Sequence, residues 1–177
     1  KIASLFKKKS AESDQILWTT CECKNLIYKE DLQKNFNCCP KCGAHHKLSC
    51  VERFKIFFDN KEYELINTPQ PKDDPINFVD NKKYTDRLKS ARKATKQDDA
   101  VAIATGKVEN IQLTVGAQDF RFIGGSFGAA SGEAFIHGAQ HAIDNKNPFI
   151  FFSCSGGQRM MESSIALMQM SRTVLAV

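Results

Sequence analysis

Cysteines are the residues whose types and spacing most clearly suggest chemistry, and six of the seven lie between Cys21 and Cys50. Cys39-Pro40-Lys41-Cys42-Gly43 has the form of a zinc knuckle, because two thiolates three positions apart can chelate one ion and the glycine permits a tight turn. The matching pair, Cys21-Glu22-Cys23, has one residue fewer between its thiols than a C-x-x-C pair. An odd cysteine count without a secretion signal argues against a disulfide framework. We therefore predict one structural zinc ion held by Cys21, Cys23, Cys39 and Cys42.

Other donors near this set leave alternatives open. Cys38, His45, His46 and Cys50 are possible substitutes within the ligand set. A ribbon that has lost its metal and an unrelated cysteine cluster are further alternatives. A closed four-ligand site has no position for a substrate, so zinc here is expected to support folding rather than catalysis.

Two glycine-bearing turns form the second candidate site. The apolar run Phe149–Phe152 predicts a buried strand, Ser153–Gly157 a turn, and helical spacing from Gln158 onward a helix. The turn Gly124–Gly128 precedes a second predicted helix, which starts at Ser131 or Gly132. Glycine allows backbone N–H groups to approach a ligand, and a helix start adds unpaired donors and partial positive charge. Such turns suit a phosphate, a carboxylate or a thioester oxygen that becomes negative, although a strand-to-helix connection that uses glycine only for packing is the alternative.

The elements that position these turns indicate an α/β class. Strands are predicted over 100–105, 111–115 and 119–123, followed by the order glycine turn, helix, strand, glycine turn and helix. In open α/β structures ligands bind at the carboxyl ends of strands, where both turns fall. Three prolines between Thr68 and Pro75 mark a boundary. We predict a basic extension over 1–17, a zinc ribbon over 18–50, a linker with short helices over 51–98, and the start of an α/β domain over 99–177.

Composition limits the possible function classes. The chain has 177 residues, enough to bury a core, and contains no apolar run near the ~20 residues of a membrane span. The first 60 residues hold ten lysines and one arginine against seven acidic residues, which favours an anionic partner such as nucleic acid or a phosphorylated cofactor. A solvated surface explains the same charge equally well. Gly124–Gly128 lacks the Gly-Lys-Ser/Thr ending of a Walker A loop, so nucleotide hydrolysis has no support.

Several motifs together resemble one known family, over the chain from Trp18 onward. They are the cysteine ribbon with His45-His46, D-N-K-K-Y-T-D-R-L over 80–88, F-I-G-G-S-F-G over 122–128, F-S-C-S-G-G-Q-R-M over 152–160 and S-I-A-L-M-Q-M over 164–170. They resemble the carboxyltransferase β subunit of multi-subunit acetyl-CoA carboxylase. The resemblance implies the N-terminal half of a crotonase-like ββα superhelix behind a zinc ribbon, and the family continues well beyond the length of this chain.

The resemblance also implies an activity and site residues. The family transfers a carboxyl group from carboxybiotin to acetyl-CoA, giving malonyl-CoA for fatty-acid biosynthesis. Backbone N–H groups of Gly156, Gly157, Gly124 and Gly125 are expected to hold the enolate oxygen of the thioester. Biotin's ureido nitrogen is expected to accept the proton. Arg159 is expected to contact the CoA phosphates, with a helix-surface salt bridge as the alternative.

Expected partners follow from the same resemblance. They are the carboxyltransferase α subunit, the biotin carboxyl carrier protein and biotin carboxylase, in the cytoplasm or the plastid stroma. The chain alone is expected to be inactive without its α subunit and C-terminal half. The alternatives are a zinc-ribbon nucleic-acid-binding protein, and another crotonase-type acyl-CoA enzyme. The second alternative is disfavoured because no acidic general base follows either glycine turn.

Overall fold

The computed structural model of the chain describes residues 17–177. The predicted basic extension therefore lies outside the described residues, apart from Leu17. The chain divides into two compact units, the first ending at His46 and the second running from Lys47 to Val177.

The first unit is a small hairpin followed by a short helix. Strand β1 (Trp18–Thr20) pairs antiparallel with β2 (Leu26–Tyr28), and α1 (Lys29–Lys34) follows directly. Its small core contains Cys21, Ile27, Leu32 and Cys39. With so little apolar surface to bury, this unit needs cross-links of another kind to hold a single structure.

A four-stranded sheet forms the centre of the second unit. The elements are α2 (Cys50–Phe57), β3 (Tyr63–Ile66), α3 (Tyr84–Thr95), β4 (Val101–Val108), β5 (Ile111–Gln118), α4 (Ala129–Asp144), β6 (Phe149–Phe152) and α5 (Ser164–Leu175). The strand order is β3-β4-β5-β6, with the first two pairs antiparallel. Strand β6 pairs parallel with β5, so α4 is the crossover between them.

Both faces of this sheet are covered, as strand alternation requires. On one face Ile103 packs with Ala134 of α4, with Phe149 and Phe151 against them. On the other face Ala104 and Val115 pack with Phe54 of α2, together with Ile150 and Phe152. Helix α2 begins with a capping box, in which Ser49 and Glu52 exchange side-chain-to-backbone hydrogen bonds. Because both faces are buried, β6 is a continuous apolar run.

The sequence predicted β4, β5, β6 and the last two helices, but several boundaries differ. Strands β4 and β5 run to Val108 and Gln118 rather than to 105 and 115, and α4 begins at Ala129 rather than at Ser131 or Gly132. The strand expected over 119–123 is wrong: β5 ends at Gln118, and a turn leads into a 3-10 segment, Ile123–Gly125. The buried Asp119 carboxylate causes this, because it accepts hydrogen bonds from the Arg121 backbone and guanidinium.

The last helix also starts later than expected. A 3-10 turn, Met160–Glu162, comes first, and Ser163 with φ +51° breaks the helical path before α5 begins at Ser164. The turn Ser153–Gly157 therefore does not open directly into a helix, and the helix dipole expected to act there is displaced by several residues.

Candidate functional site

The four predicted cysteines converge in the first unit. The sulfur atoms of Cys21, Cys23, Cys39 and Cys42 all lie within 4.8 Å of one another. The Cys21–Cys42 and Cys23–Cys39 Sγ···Sγ distances are 3.6 and 3.9 Å. Tetrahedral zinc with Zn–S bonds of about 2.3 Å places its sulfur ligands about 3.8 Å apart, so the geometry fits this ion.

Two tight turns bring these sulfurs together. In the β1–β2 turn Lys24 adopts φ +64° and its N–H donates to the Cys21 carbonyl at 2.8 Å, which folds the short C-x-C pair back on itself. In the knuckle Gly43 adopts φ +74° and its N–H donates to the Cys39 carbonyl at 2.9 Å. The glycine therefore has the backbone role predicted for it.

Thiol chemistry also favours a cation here. Hydrogen bonds from the Asn25 side chain and backbone lower the pKa of Cys23 to about 6. The Ala44 backbone lowers the pKa of Cys42, but hydrogen bonds to Cys39 and Cys23 outweigh it and raise the value to about 12. Four adjacent thiols cannot all ionise unaided, and a divalent ion removes that repulsion. The convergence of the four sulfur atoms fits the predicted structural zinc.

The alternative donors lie outside this set. The Cys38 Sγ lies 3.3 Å from His45 Nδ1, and the two residues form a backbone bridge of their own. Cys50 is buried at the start of α2, where its thiol donates to the Ala117 carbonyl at 3.0 Å. Burial, with the nearby Asp119 charge, raises the pKa of the Cys50 thiol to about 12, which is unsuited to metal binding.

In the second unit the two glycine turns meet where the parallel strands β5 and β6 end. Three backbone hydrogen bonds of 2.9 Å join them: Gly156 N–H to the Gly124 carbonyl, Phe127 N–H to the Gly157 carbonyl, and Arg159 N–H to the Phe127 carbonyl. Gln118 adds a side-chain link, donating to the Gly125 carbonyl and accepting from the Cys154 N–H. The turns therefore form one structure at the sheet edge where ligands bind in α/β folds.

Three of the four predicted glycines differ in how their N–H groups are used. The Gly156 N–H donates to the Gly124 carbonyl and the Gly125 N–H donates to the Phe122 carbonyl, so neither N–H points at a ligand. This contradicts the expectation that all four donate to an oxyanion. The Gly157 N–H instead bonds to the exposed Ser155 Oγ at 3.0 Å, a partner that a rotation of one side chain removes. Gly157 has φ +123°, and no atom lies within 4 Å of where a β-carbon would stand.

A cavity of about 330 Å³ opens beside Gly157. Its apolar wall includes Phe127, Phe135, Phe151 and Met170, and its polar rim includes Ser153, Ser155 and Gln158. Among the described residues that line it there is no Asp, Glu, His, Lys or Arg. An uncharged site of this kind can stabilise negative charge through backbone N–H groups but offers no general acid or base.

Arg159 occupies a different place from the one predicted. Its side chain is 1% exposed, and its guanidinium donates to Asp99, Ser126 and Tyr84. This contradicts the predicted contact with CoA phosphates, because the donors are already used inside the protein. It also contradicts the alternative of a helix-surface salt bridge, because the partner carboxylates are buried.

Glu162 has a role that the sequence analysis missed. It is 5% exposed, and its Oε2 accepts the Ala129 N–H at 2.6 Å, so it caps α4 from the second turn. A β-carbon on Gly128 would lie 2.6 Å from this carboxylate, so a glycine is needed there. The positive N-terminus of α4 is therefore neutralised internally and is not free for an anionic ligand. The Arg159–Glu162 spacing within an otherwise apolar segment was the signal available in the sequence.

Comparison with protein families identifies the class. Residues 18–42 match the family described as acetyl-CoA carboxylase zinc finger domain, and residues 77–176 match the carboxyl transferase domain. The second match covers more than half of the chain. The chain therefore belongs to the carboxyl transferase domain family.

Two named relatives are similar to the chain over nearly its full length. The chain is 50% identical over 171 residues to the acetyl-coenzyme A carboxylase carboxyl transferase subunit beta of Pelagibacter ubique, covering 97% of this chain and 54% of that protein. It is 43% identical over 178 residues to the same subunit of Gluconacetobacter diazotrophicus, covering 100% of this chain and 58% of that protein. The chain thus spans little more than half the length of these relatives.

Solved structures agree on the fold. The transcarboxylase 12S structure superposes with a TM-score of 0.55 at 22% identity, over 73% of this chain and 23% of that chain. A Pseudomonas malonate decarboxylase hetero-tetramer gives 0.51 at 20% identity, over 73% and 45%. The fold is thus crotonase-like α/β behind a zinc ribbon, as predicted. Across residues 17–177, no helix combines the length and the apolar character that crossing a bilayer requires.

Proposed function

We propose that this chain is part of a carboxyltransferase that moves a carboxyl group from carboxybiotin to acetyl-CoA, giving malonyl-CoA. The observation that carries the proposal is the Gly157 N–H, held only by an exposed serine hydroxyl at the rim of an apolar cavity. In the proposed complex the thioester oxygen takes the place of Ser155 Oγ on this N–H. The relatives' names support the choice of reaction, and the site geometry supports the role of the glycine.

The uncharged cavity supports carboxyl transfer over other acyl-CoA chemistry. Removing a proton from the acetyl methyl group places negative charge on the thioester oxygen, which a backbone N–H can stabilise by about 3 to 4 kcal/mol. A crotonase-type hydratase or isomerase needs a side-chain base, and the described cavity lining contains none. In the proposed reaction the N–carboxyl bond of carboxybiotin breaks to release CO2, and the freed ureido nitrogen takes the proton of the acetyl methyl group. The enolate carbon then attacks CO2 to form malonyl-CoA, so the protein supplies position and charge stabilisation.

Partners are part of the same proposal. We expect the chain to act within a cytoplasmic hetero-oligomer with a carboxyltransferase α subunit, served by a biotin carboxyl carrier protein and biotin carboxylase. Nucleic acid is a weaker candidate partner for the ribbon. Residues 17–46 carry four lysines against three acidic residues, so the basic excess of the first 60 residues is not concentrated there.

The test is an assay of carboxyl transfer with purified components. The full-length subunit that contains this chain, mixed with its α partner and carboxylated carrier protein, should convert acetyl-CoA to malonyl-CoA. The isolated 177-residue chain should not. A complex that is folded, zinc-loaded and inactive on acetyl-CoA would refute the proposed reaction. Activity of the isolated chain would refute the need for partners.

A further inference from the structure

A buried polar network of the second unit lies next to the glycine turns and outside the cavity lining. Arg159 Nη1 and Nη2 donate to the two Asp99 oxygens at 2.6 and 2.8 Å, and these side chains are 0% and 4% exposed. The same guanidinium donates from Nη2 to the Ser126 carbonyl at 2.7 Å and from Nε to the Ser126 hydroxyl at 3.1 Å. One planar group therefore joins Asp99 to Ser126 through four hydrogen bonds.

Asp99 is a fixed anchor for this link. Its Oδ1 also accepts the Ala100 N–H at 2.7 Å and the Ser131 hydroxyl at 2.8 Å, which ties it to the start of β4 and the first turn of α4. Burial lowers the pKa of Arg159, but hydrogen bonds and the charge of Asp99 outweigh it and raise the pKa above its usual range. The cation is therefore permanent.

Ser126 passes this restraint to the glycine turns. Ser126 lies between Gly125 and Phe127 in the chain. The Phe127 N–H donates to the Gly157 carbonyl, and the Phe127 carbonyl accepts the Arg159 N–H. The carbonyl group and the N–H of Gly157 are attached to the same Cα atom. Moving Ser126 therefore changes where the Gly157 N–H lies relative to the cavity.

We propose that Arg159 is a positioning residue: by tying Ser126 to Asp99 it fixes the Gly157 N–H at the distance that carboxyl transfer requires. This inference rests on the proposed function. Arg159 is not among the residues that line the cavity, and its side chain acts through the backbone of the first turn. A guanidinium is required because lysine offers one nitrogen centre and cannot serve both Asp99 oxygens and both Ser126 acceptors.

The test uses Arg159→Lys in the full-length subunit assembled with its α partner. A misplaced donor should lower kcat by about 10²-fold. KM for acetyl-CoA should change by less than about two-fold, since the lost interaction is made only in the transition state. Arg172→Lys is the matched control, because Arg172 forms a half-exposed ion pair with Glu133 at 2.7 Å, and its kcat should stay within about two-fold of wild type.

Amide hydrogen exchange provides a readout independent of activity. In Arg159→Lys the backbone amides of Phe127, Gly156 and position 159 should exchange about ten-fold faster or more, with the β4 and β5 amides unchanged. An inactive wild-type complex would refute the proposed function, and the exchange data would still decide whether Arg159 holds the turns. Unchanged exchange, or an unchanged kcat in folded Arg159→Lys, overturns the inference.

A milder variant covers the case in which Arg159→Lys does not fold. Ser126→Ala removes only the hydroxyl acceptor of Arg159 Nε and keeps the carbonyl contact. We expect kcat to fall about three- to ten-fold, because one charge-assisted hydrogen bond is lost, with exchange faster at the same amides. Unchanged kcat and exchange in this variant would overturn the inference as well.

Discussion

Asp99 and Tyr84 approach Arg159 from different elements and meet on the same guanidinium nitrogen. Nη1 lies 2.6 Å from Asp99 Oδ2 and 3.2 Å from the Tyr84 hydroxyl, which in turn donates to Glu162 at 2.5 Å. Burial and the neighbouring Glu162 raise the pKa of Tyr84 above its usual range, with Arg159 opposing them, so the hydroxyl stays protonated. The segment before β4 is thereby joined to the turn before α5.

Asp99→Ala should destabilise the second unit strongly. It leaves the buried guanidinium with only the longer Glu162 contact at 3.4 Å, and breaking a buried pair of this kind costs about 3 to 5 kcal/mol. Urea unfolding followed by circular dichroism would give the change in free energy of unfolding. Asp73→Ala is the matched control, because the Arg92–Asp73 pair is exposed and should contribute about 1 kcal/mol or less. Equal losses in the two variants would contradict the network's importance.

Zinc should bind with a stoichiometry of one per chain through the four converging cysteines. Cys42→Ser should abolish binding and unfold the first unit while the helices of the second unit persist, because the metal supplies most of the first unit's cross-linking. Metal analysis and circular dichroism would measure both effects. Cys38→Ser is the control, since Cys38 pairs with His45 outside the set and its loss should leave the zinc in place. Folded, metal-free wild type would disprove the site.

Gly157→Val should lower kcat by about 10²-fold in the assembled enzyme, since a β-branched side chain blocks the thioester from this N–H. The φ of +123° also adds about 1 to 3 kcal/mol of backbone strain. Gly43→Ala is a useful comparison, because Gly43 has φ +74° with free space around it but lies in the ribbon. It should reduce stability and leave turnover per folded enzyme unchanged. If Gly157→Val keeps its kcat per folded enzyme, Gly157 is not part of the site.

Ser155→Ala tests whether the Ser155 hydroxyl only occupies the Gly157 N–H until substrate binds or takes part in the reaction. Its hydroxyl accepts the Gly157 N–H at 3.0 Å and donates to the Gly157 carbonyl at 3.1 Å. Removing it frees the N–H for substrate, so steady-state assays should show KM unchanged or lowered by up to about five-fold and kcat undiminished. A large fall in kcat would instead make Ser155 a catalytic hydroxyl.

Alkaline pH should weaken the second unit partly through Cys50. The ordinary thiol pKa of 9.0 rises to about 12 in the folded chain, mainly by burial. The folded state therefore holds its proton where the unfolded state loses it, and this contribution is complete below pH 9 and lost as pH rises towards 12. Cys50→Ala should reduce the slope of unfolding free energy against pH by up to about 1.4 kcal/mol per unit between these values. Identical slopes would exclude this contribution.

The sequence predicted what local patterns can encode. Strand β6 follows from its apolar run and helix α5 from its helical spacing, and the four cysteines follow from spacing and turn residues. The strand predicted over 119–123 does not form, because the Asp119 carboxylate accepts hydrogen bonds from the Arg121 backbone and guanidinium and turns the chain, which the apolar pattern does not encode.

The buried network was beyond local reasoning for a different reason. Tyr84 and Glu162 are 78 positions apart, and Arg159 and Asp99 are 60 apart, so no spacing rule connects them. For the same reason the availability of N–H groups could not be predicted. The motif contains two adjacent glycines, but only the fold shows that Gly156 is bonded to Gly124 while Gly157 faces the cavity rim.

These long separations also bear on the order in which the molecule is made. Helix α3 relies on neighbouring residues and can form early, whereas the Tyr84–Glu162 contact must close a loop of 78 positions before it contributes. During synthesis, the glycine turns cannot adopt their final arrangement until residue 162 has left the ribosome. We expect the two joined glycine turns to be among the last parts of this protein to fold. Nascent chains arrested before residue 162 has emerged should lack their final arrangement.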